Sequence, residues 1–413
     1  MREAEPAGAR KLAIWELVAM VAALSALNAL AIDIMLPALP DIGRDFALIN
    51  DNDRQLVIVA YVALFGISQL IYGPLADAFG RRSVLIWALG VYLAGSVLSV
   101  FAPTFELFLA ARALQGVGAA ATRVIATAVV RDMTEGRRMA QVMSMAMTVF
   151  MIVPIVAPGI GQLILFAGPW RWIFAALLLY GLGVLAWALI RLPETLAPEN
   201  RRAFNARAIA SVYADVMRER QTIGYMAATT CMIACLFGYI TSSEQIYVDV
   251  FNLGAAFPIA FGSVAIAMSA GTFLNSRIVM RYGMRRISHT MTIAFTLASL
   301  TLTLLLAFGV TSLWVFLPLL ALTFSMFGLI ASNFNALAME PVGHVAGSAS
   351  ALYGAVTASG GALLGAVIAR AFDGTALPFA IGLTCAGAAT FVAVLWTERG
   401  RLFTTGPPVA NVR

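Results

Sequence analysis

Twelve stretches of this chain are each apolar for about twenty residues, and that leaves very few folds open. A helix needs ~20 mainly apolar residues to cross a bilayer, and in hydrocarbon every backbone N–H and C=O must be satisfied within the segment. The stretches are residues 12–36, 56–76, 84–101, 107–130, 139–166 and 172–190, then 222–240, 257–279, 291–310, 313–339, 349–369 and 378–396. They predict an all-α membrane protein of twelve transmembrane helices. Composition agrees, with 61% hydrophobic and only 12% charged residues. A soluble domain carries about 25% charged residues.

The longest polar stretch falls between the sixth and seventh spans, and it divides the chain into two six-helix halves, 1–190 and 222–413, around a central linker, 191–221. Cationic residues are retained on the cytoplasmic side of a membrane. With the N-terminus inside, twenty of the 27 lysines and arginines are cytoplasmic and four (Arg44, Arg54, Arg171 and Arg370) are outside. Arg112, Arg123 and Arg277 lie inside or at the ends of spans. Both termini are therefore expected in the cytoplasm, and the net charge of +6 needs no nucleic acid to explain it. The charged lead before the first span has no small-residue cleavage pattern and reads as retained. Cys231 and Cys235, one helical turn apart, have no third ligand nearby and read as packing residues.

The halves carry a faint repeat. "GPLADAFGRRSVL" ends the second span and "SRIVMRYGMRRIS" ends the eighth, aligned on Gly80 and Gly283. A two-half repeat about a central linker is a transporter architecture. The run Gly73 to Arg82 also resembles the signature between the second and third spans of the major facilitator superfamily. "LAARALQGVGAAATRVIATAVVRD", Leu109 to Asp132, resembles the fourth-span motif of drug:proton antiporters, and "APGIGQ", with Pro158 and Gly161, their fifth-span antiporter motif. "IDIMLPALPDI" is similar to the first span of the Bcr/CflA multidrug-efflux subfamily. Ala78, Ala157 and Gln162 depart from the usual pattern. The resemblance implies the major facilitator fold and a proton-coupled exporter of small lipophilic drugs, conferring antibiotic resistance by alternating access. It further implies a bacterial inner membrane, a monomer, no cofactor, and small molecules, protons and lipid as the partners. A proton-coupled importer or dedicated metabolite exporter of the same fold is the alternative. No HExxH pair, GxSxG elbow or P-loop marks an enzyme or an ATP-driven pump.

Charges inside spans are functional by default. Asp33, near the outer end of the first span, and Arg112, about five residues into the fourth, are expected at similar depth and paired. The guanidinium favours an ionised Asp33 and desolvation favours the protonated acid, a competition that makes a proton switch. A permanent ion pair is the alternative. Arg123 follows Arg112 by eleven residues, about 20° round the helix and roughly 16 Å along it, with Gln115 near the same face. Tyr61, Gln115, Arg123, Glu244 and Asn333 are the candidate cavity residues, although Glu244 also suits an interfacial site and Asn333 an interhelical hydrogen bond. At the cytoplasmic turn, Gly73 and Gly80 permit close approach and a tight turn, and Asp77 is placed to face a helix N-terminus. Arg81 and Arg82 can reach Asp132, a cluster expected to latch one conformation; the bland reading makes the arginines topology anchors.

Overall fold

A computed structural model describes residues 13–134, 136–201 and 204–403 of the chain. Arg2, Arg10, Lys11, Arg202 and Arg413, counted in the charge bias, lie outside them, as does the side chain of Arg137. Fourteen α-helices follow one another, and no strand occurs among the described residues. In the first half they are α1 (Ile14–Asp33), the short α2 (Leu39–Asp45), α3 (Leu56–Phe79), α4 (Arg81–Phe101), α5 (Phe105–Met133), α6 (Gly136–Ala167) and α7 (Arg171–Arg191). A linker helix, α8 (Ala206–Val216), precedes the second half: α9 (Arg220–Glu244), α10 (Phe257–Tyr282), α11 (Met284–Ala307), α12 (Leu313–Met339), α13 (Ala346–Arg370) and α14 (Leu377–Thr397).

Among the described residues eleven helical stretches are long and apolar enough to span, and with the longest divided into α12 and α13 they give two sets of six spans, α2 and α8 apart. Residues Leu313–Arg370 form one apolar stretch of 58 residues. At ~1.5 Å per residue that is far too long for one crossing. Pro341, in a six-residue 3-10 turn at Glu340–Val345, divides it into α12 and α13. Large apolar side chains such as Trp87, Leu179 and Phe273 point outward, as a lipid-facing surface requires. The interior holds a ring cluster at one end, where Phe108 packs edge-on against Trp170 and Phe174. α6 runs unbroken through Pro154 and Pro158.

The two copies of the repeat share a backbone. Gly80 ends α3 at φ 97°, ψ 149°, and Gly283 ends α10 at φ 80°, ψ 152°. Positive φ is costly for a residue with a Cβ, so glycine at both turns lets the next helix start at once. Gly80, Gly283 and the surrounding arginines mark one end of the bundle, the basic face; the other end is the far face.

Candidate functional site

Asp33 closes α1 near the far face and is only 4% exposed. The expected pair with Arg112 is not made: among the described residues the Asp33 carboxylate has neither a hydrogen bond nor an ion pair. Tyr239 of α9 lies within electrostatic range of it. Helix α6 comes to the next residue so closely that a Cβ on Gly161 would lie 1.9 Å from the Ile34 carbonyl oxygen. The glycine of "APGIGQ" thus seats α6 beside the carboxylate. A cavity of about 140 Å³ opens near this end of α1, lined by Pro37, Pro40, Gln162, Glu244 and Phe257 among others.

Arg112 is fully buried, and no carboxylate among the described residues neutralises it. Its Nη2 donates to the Ala31 carbonyl at 2.8 Å, its Nε donates to the Val57 carbonyl at 3.3 Å, and its Nη1 donates to Gln115. The guanidinium lies over the Tyr61 ring at 4.6 Å and near Phe174 at 5.5 Å. Tyr61 donates to Asn28 Oδ1 at 3.0 Å, and Gln115 donates to Ser96 at 2.9 Å. Tyr61 and Gln115, expected in a cavity, instead belong to a buried network tying α1, α3, α4 and α5 together. Residue 33 is about 200° further round α1 than residue 31, so an arginine held at Ala31 is turned away from Asp33. Depth was legible from spacing; azimuth was not.

Glu244 is buried rather than interfacial. Arg54 Nη2 lies 3.1 Å from both its Oε2 and Asp249 Oδ2, with hydrogen-bonding geometry only toward Asp249. Arg54 itself is 6% exposed, so this clamp is largely removed from water. Around it Asn52 Nδ2 donates to the Phe372 carbonyl at 3.0 Å, Gln245 donates to Asn52 at 2.7 Å, and Arg370 donates to Asp53 at 2.6 Å. Deeper in the bilayer Ser359 of α13 donates to the Ala63 carbonyl of α3 at 2.8 Å. Among the described residues, every hydrogen bond and ion pair joining the two sets of six spans lies at Ser359 or on its far-face side. The molecule is closed there. Arg54, Asn52 and Asp249 were missed because each looks like an ordinary loop residue in the sequence.

Asn333 is buried and donates to Asn275 of α10 at 2.8 Å, an interhelical bond within the second half rather than a cavity position. Arg123 is exposed although it lies well inside α5, and its side chain has no hydrogen bond or ion pair among the described residues.

At the basic face Arg81 pairs with Asp77 at 2.6 Å and with Asp132 at 3.1 Å. Arg82 does not reach Asp132 and donates to the Leu189 carbonyl at 2.7 Å. Asp77 does not serve the helix N-terminus; Glu194 does, accepting from the Arg81 backbone N–H at 2.8 Å. An anion there meets the positive end of α4, whereas Asp77, four residues before Arg81, meets its side chain. Nothing lies within 4 Å of where a Gly73 Cβ would be, so that glycine is not needed for close approach here. The cluster joins helices of one half only. The second half has a counterpart: Arg285 donates to Glu398 at 3.0 Å and to Glu340 at 3.1 Å, and Tyr225 donates to Glu398 at 2.5 Å.

Two six-helix sets, a polar closure at one face and charged residues inside the spans define a polytopic membrane transporter. The profile described as the Major Facilitator Superfamily matches residues 21–366, and the chain belongs to that family. It is 31% identical over 380 residues to the bicyclomycin resistance protein homolog of Haemophilus influenzae, covering 90% of this chain and 92% of that one. It is also 31% identical over 358 residues to the uncharacterized MFS-type transporter YdgK of Bacillus subtilis, covering 84% and 86%. Among solved structures it resembles the xylose transporter XylE from E. coli, at a TM-score of 0.70 and 14% identity over 95% of this chain and 99% of that one.

Proposed function

We propose that the chain is a secondary active exporter of small, mostly lipophilic toxic compounds, driven by inward proton flow across a bacterial inner membrane. The basic face is cytoplasmic and the two six-helix halves alternate about the closure. The observation that carries this reading is the one-sided seal: the described bonds made directly between the halves lie at Ser359 or toward the far face, whereas on the basic-face side the linker helix α8 bridges them, Tyr213 donating to the Leu70 carbonyl and Val216 clustering with Ala349 and Leu352. The bicyclomycin-resistance name of a relative supports drugs as cargo.

Asp33 is the proton acceptor. A carboxylate buried without a cation is costly, and a proton, water or a counter-charge relieves that cost. Asp33 has no counter-charge among the described residues. Protonation from the outside neutralises it and stabilises the form seen here; return of the proton to the cytoplasm follows cargo release. Arg112 holds the first half rigid around this site. Arg81, Asp77 and Asp132 set the pitch of the basic-face turn through the cycle.

Uptake into inside-out proteoliposomes tests the reading. An acidic lumen is expected to drive drug accumulation, and nigericin in potassium buffer to abolish it. Accumulation that persists after the gradient has collapsed would overturn proton antiport.

A further inference from the structure

Arg123 is the only cation among the described residues that lies more than two turns inside a span yet bonds to nothing. It sits ten residues from the basic-face end of α5, about 15 Å deep. A guanidinium at that depth is tolerable only where it faces a water-filled space or a partner. It faces the other half. Tyr353 of α13 is within electrostatic range, at a similar depth seven residues from its own helix start. The Tyr353 hydroxyl is in turn 2.7 Å from Thr229 Oγ1 of α9. Nearer the basic face α5 and α13 still run side by side, since a Cβ on Gly347 would lie 3.9 Å from Arg131 Nη1. On the far side Ser359 and Ala63 close the space. Arg123, exposed at this depth, thus faces a chamber on the basic-face side of that contact, with the buried Tyr353 and Thr229 in its wall.

The charge of that chamber is uncompensated. Glu16 is held by Arg191 at 2.6 Å, and Asp77 and Asp132 by Arg81. Asp33 and Glu244 lie beyond the closure. No described carboxylate is left to balance Arg123, and low-dielectric walls focus its field on whatever enters.

Building on the transport reading above, we infer that Arg123 selects cargo carrying an anionic group, a carboxylate, sulfonate or phosphate on an otherwise apolar body. The planar guanidinium matches such groups with paired N–H donors, while Tyr353 supplies a further hydroxyl. A cationic drug would meet repulsion with no carboxylate to offset it.

Equilibrium binding to the purified full chain in detergent, with no gradient, tests this separately from proton coupling. The probes are 1-naphthoate, its neutral methyl ester and 1-naphthylmethylamine. Naphthoate is expected to bind tightest of the three. Arg123→Gln should weaken it about ten- to a hundredfold, the range for losing a charged hydrogen bond, and leave the ester nearly unchanged. Arg123→Lys should keep the preference for the acid. The inference is overturned if naphthoate shows no measurable binding, if ester or amine binds as tightly in the unaltered chain, or if Arg123→Gln weakens all three alike. Failure here leaves gradient-driven export standing, and failure of proton coupling leaves this binding result standing.

Discussion

Asp33 and Arg112 are buried charges of opposite sign that do not meet. Each is handled differently: Arg112 by carbonyls and aromatic faces, Asp33 by no bonded partner among the described residues. Two outcomes follow at this scale. Asp33→Asn should eliminate gradient-driven transport while leaving SDS-titrated unfolding unchanged or slightly favouring the fold; normal active transport by this variant would remove Asp33 from the mechanism. Arg112→Ala should destabilise by about 3–5 kcal/mol, since it empties a buried site and strands the polar groups that faced it. A double-mutant cycle between the two residues should give a coupling below about 0.5 kcal/mol, the level of independent sites. A coupling of several kcal/mol would restore the ion pair expected from spacing.

At the scale of elements, close helix approach is what builds the site. A Cβ at Gly161 would collide with the Ile34 carbonyl, a backbone atom that has no side-chain freedom to move aside. Gly161→Ala is expected to cost about 1–3 kcal/mol by overpacking, and to lower the transport rate by pushing α6 away from Asp33. Thermal unfolding in detergent, run beside the vesicle assay, reads both. The basic-face turns show the same logic twice over. Asp132 lies in the last turn of the fourth span and Glu194 just past the sixth, while Glu340 and Glu398 follow directly on the tenth and twelfth. Each carboxylate pair gathers on the α4 or α11 start of its own half, through Arg81 or Arg285. The glycine alignment matches Arg285 with Arg82, but in space Arg285 does the work of Arg81. Glu194→Ala should lower the unfolding temperature by removing the anion from the start of α4, and Glu194→Gln should lower it less.

For the whole molecule, the far-face clamp decides which side is closed. Truncating Arg54 leaves Glu244 buried without its cation, a penalty of about 3–5 kcal/mol confined to the closed form. That is enough to move a two-state equilibrium substantially. Arg54→Ala should therefore raise the rate at which a membrane-impermeant maleimide labels Ser359→Cys, once Cys231, Cys235 and Cys385 have been replaced. An unchanged labelling rate would mean that Asn52, Asp53 and Arg370 hold the closure without Arg54.

Span number and helical class were legible in the chain, because bilayer thickness and backbone hydrogen bonding demand apolar runs of one length, and the family was legible through the resemblance carried by Gly73 to Arg82 and the other motifs. Periodicity also placed residues at a depth along their helices, and Gly80 and Gly283 announced their turns through the conformations they alone adopt cheaply. What periodicity does not carry is azimuth against a neighbour. Which side of α1 receives Arg112, whether Asn333 meets a cavity or Asn275, and that Arg54 from one half grips Glu244 from the other, are set by how twelve helices rotate and pack together. Those choices rest on contacts between residues up to about two hundred positions apart, and only the tertiary structure decided them.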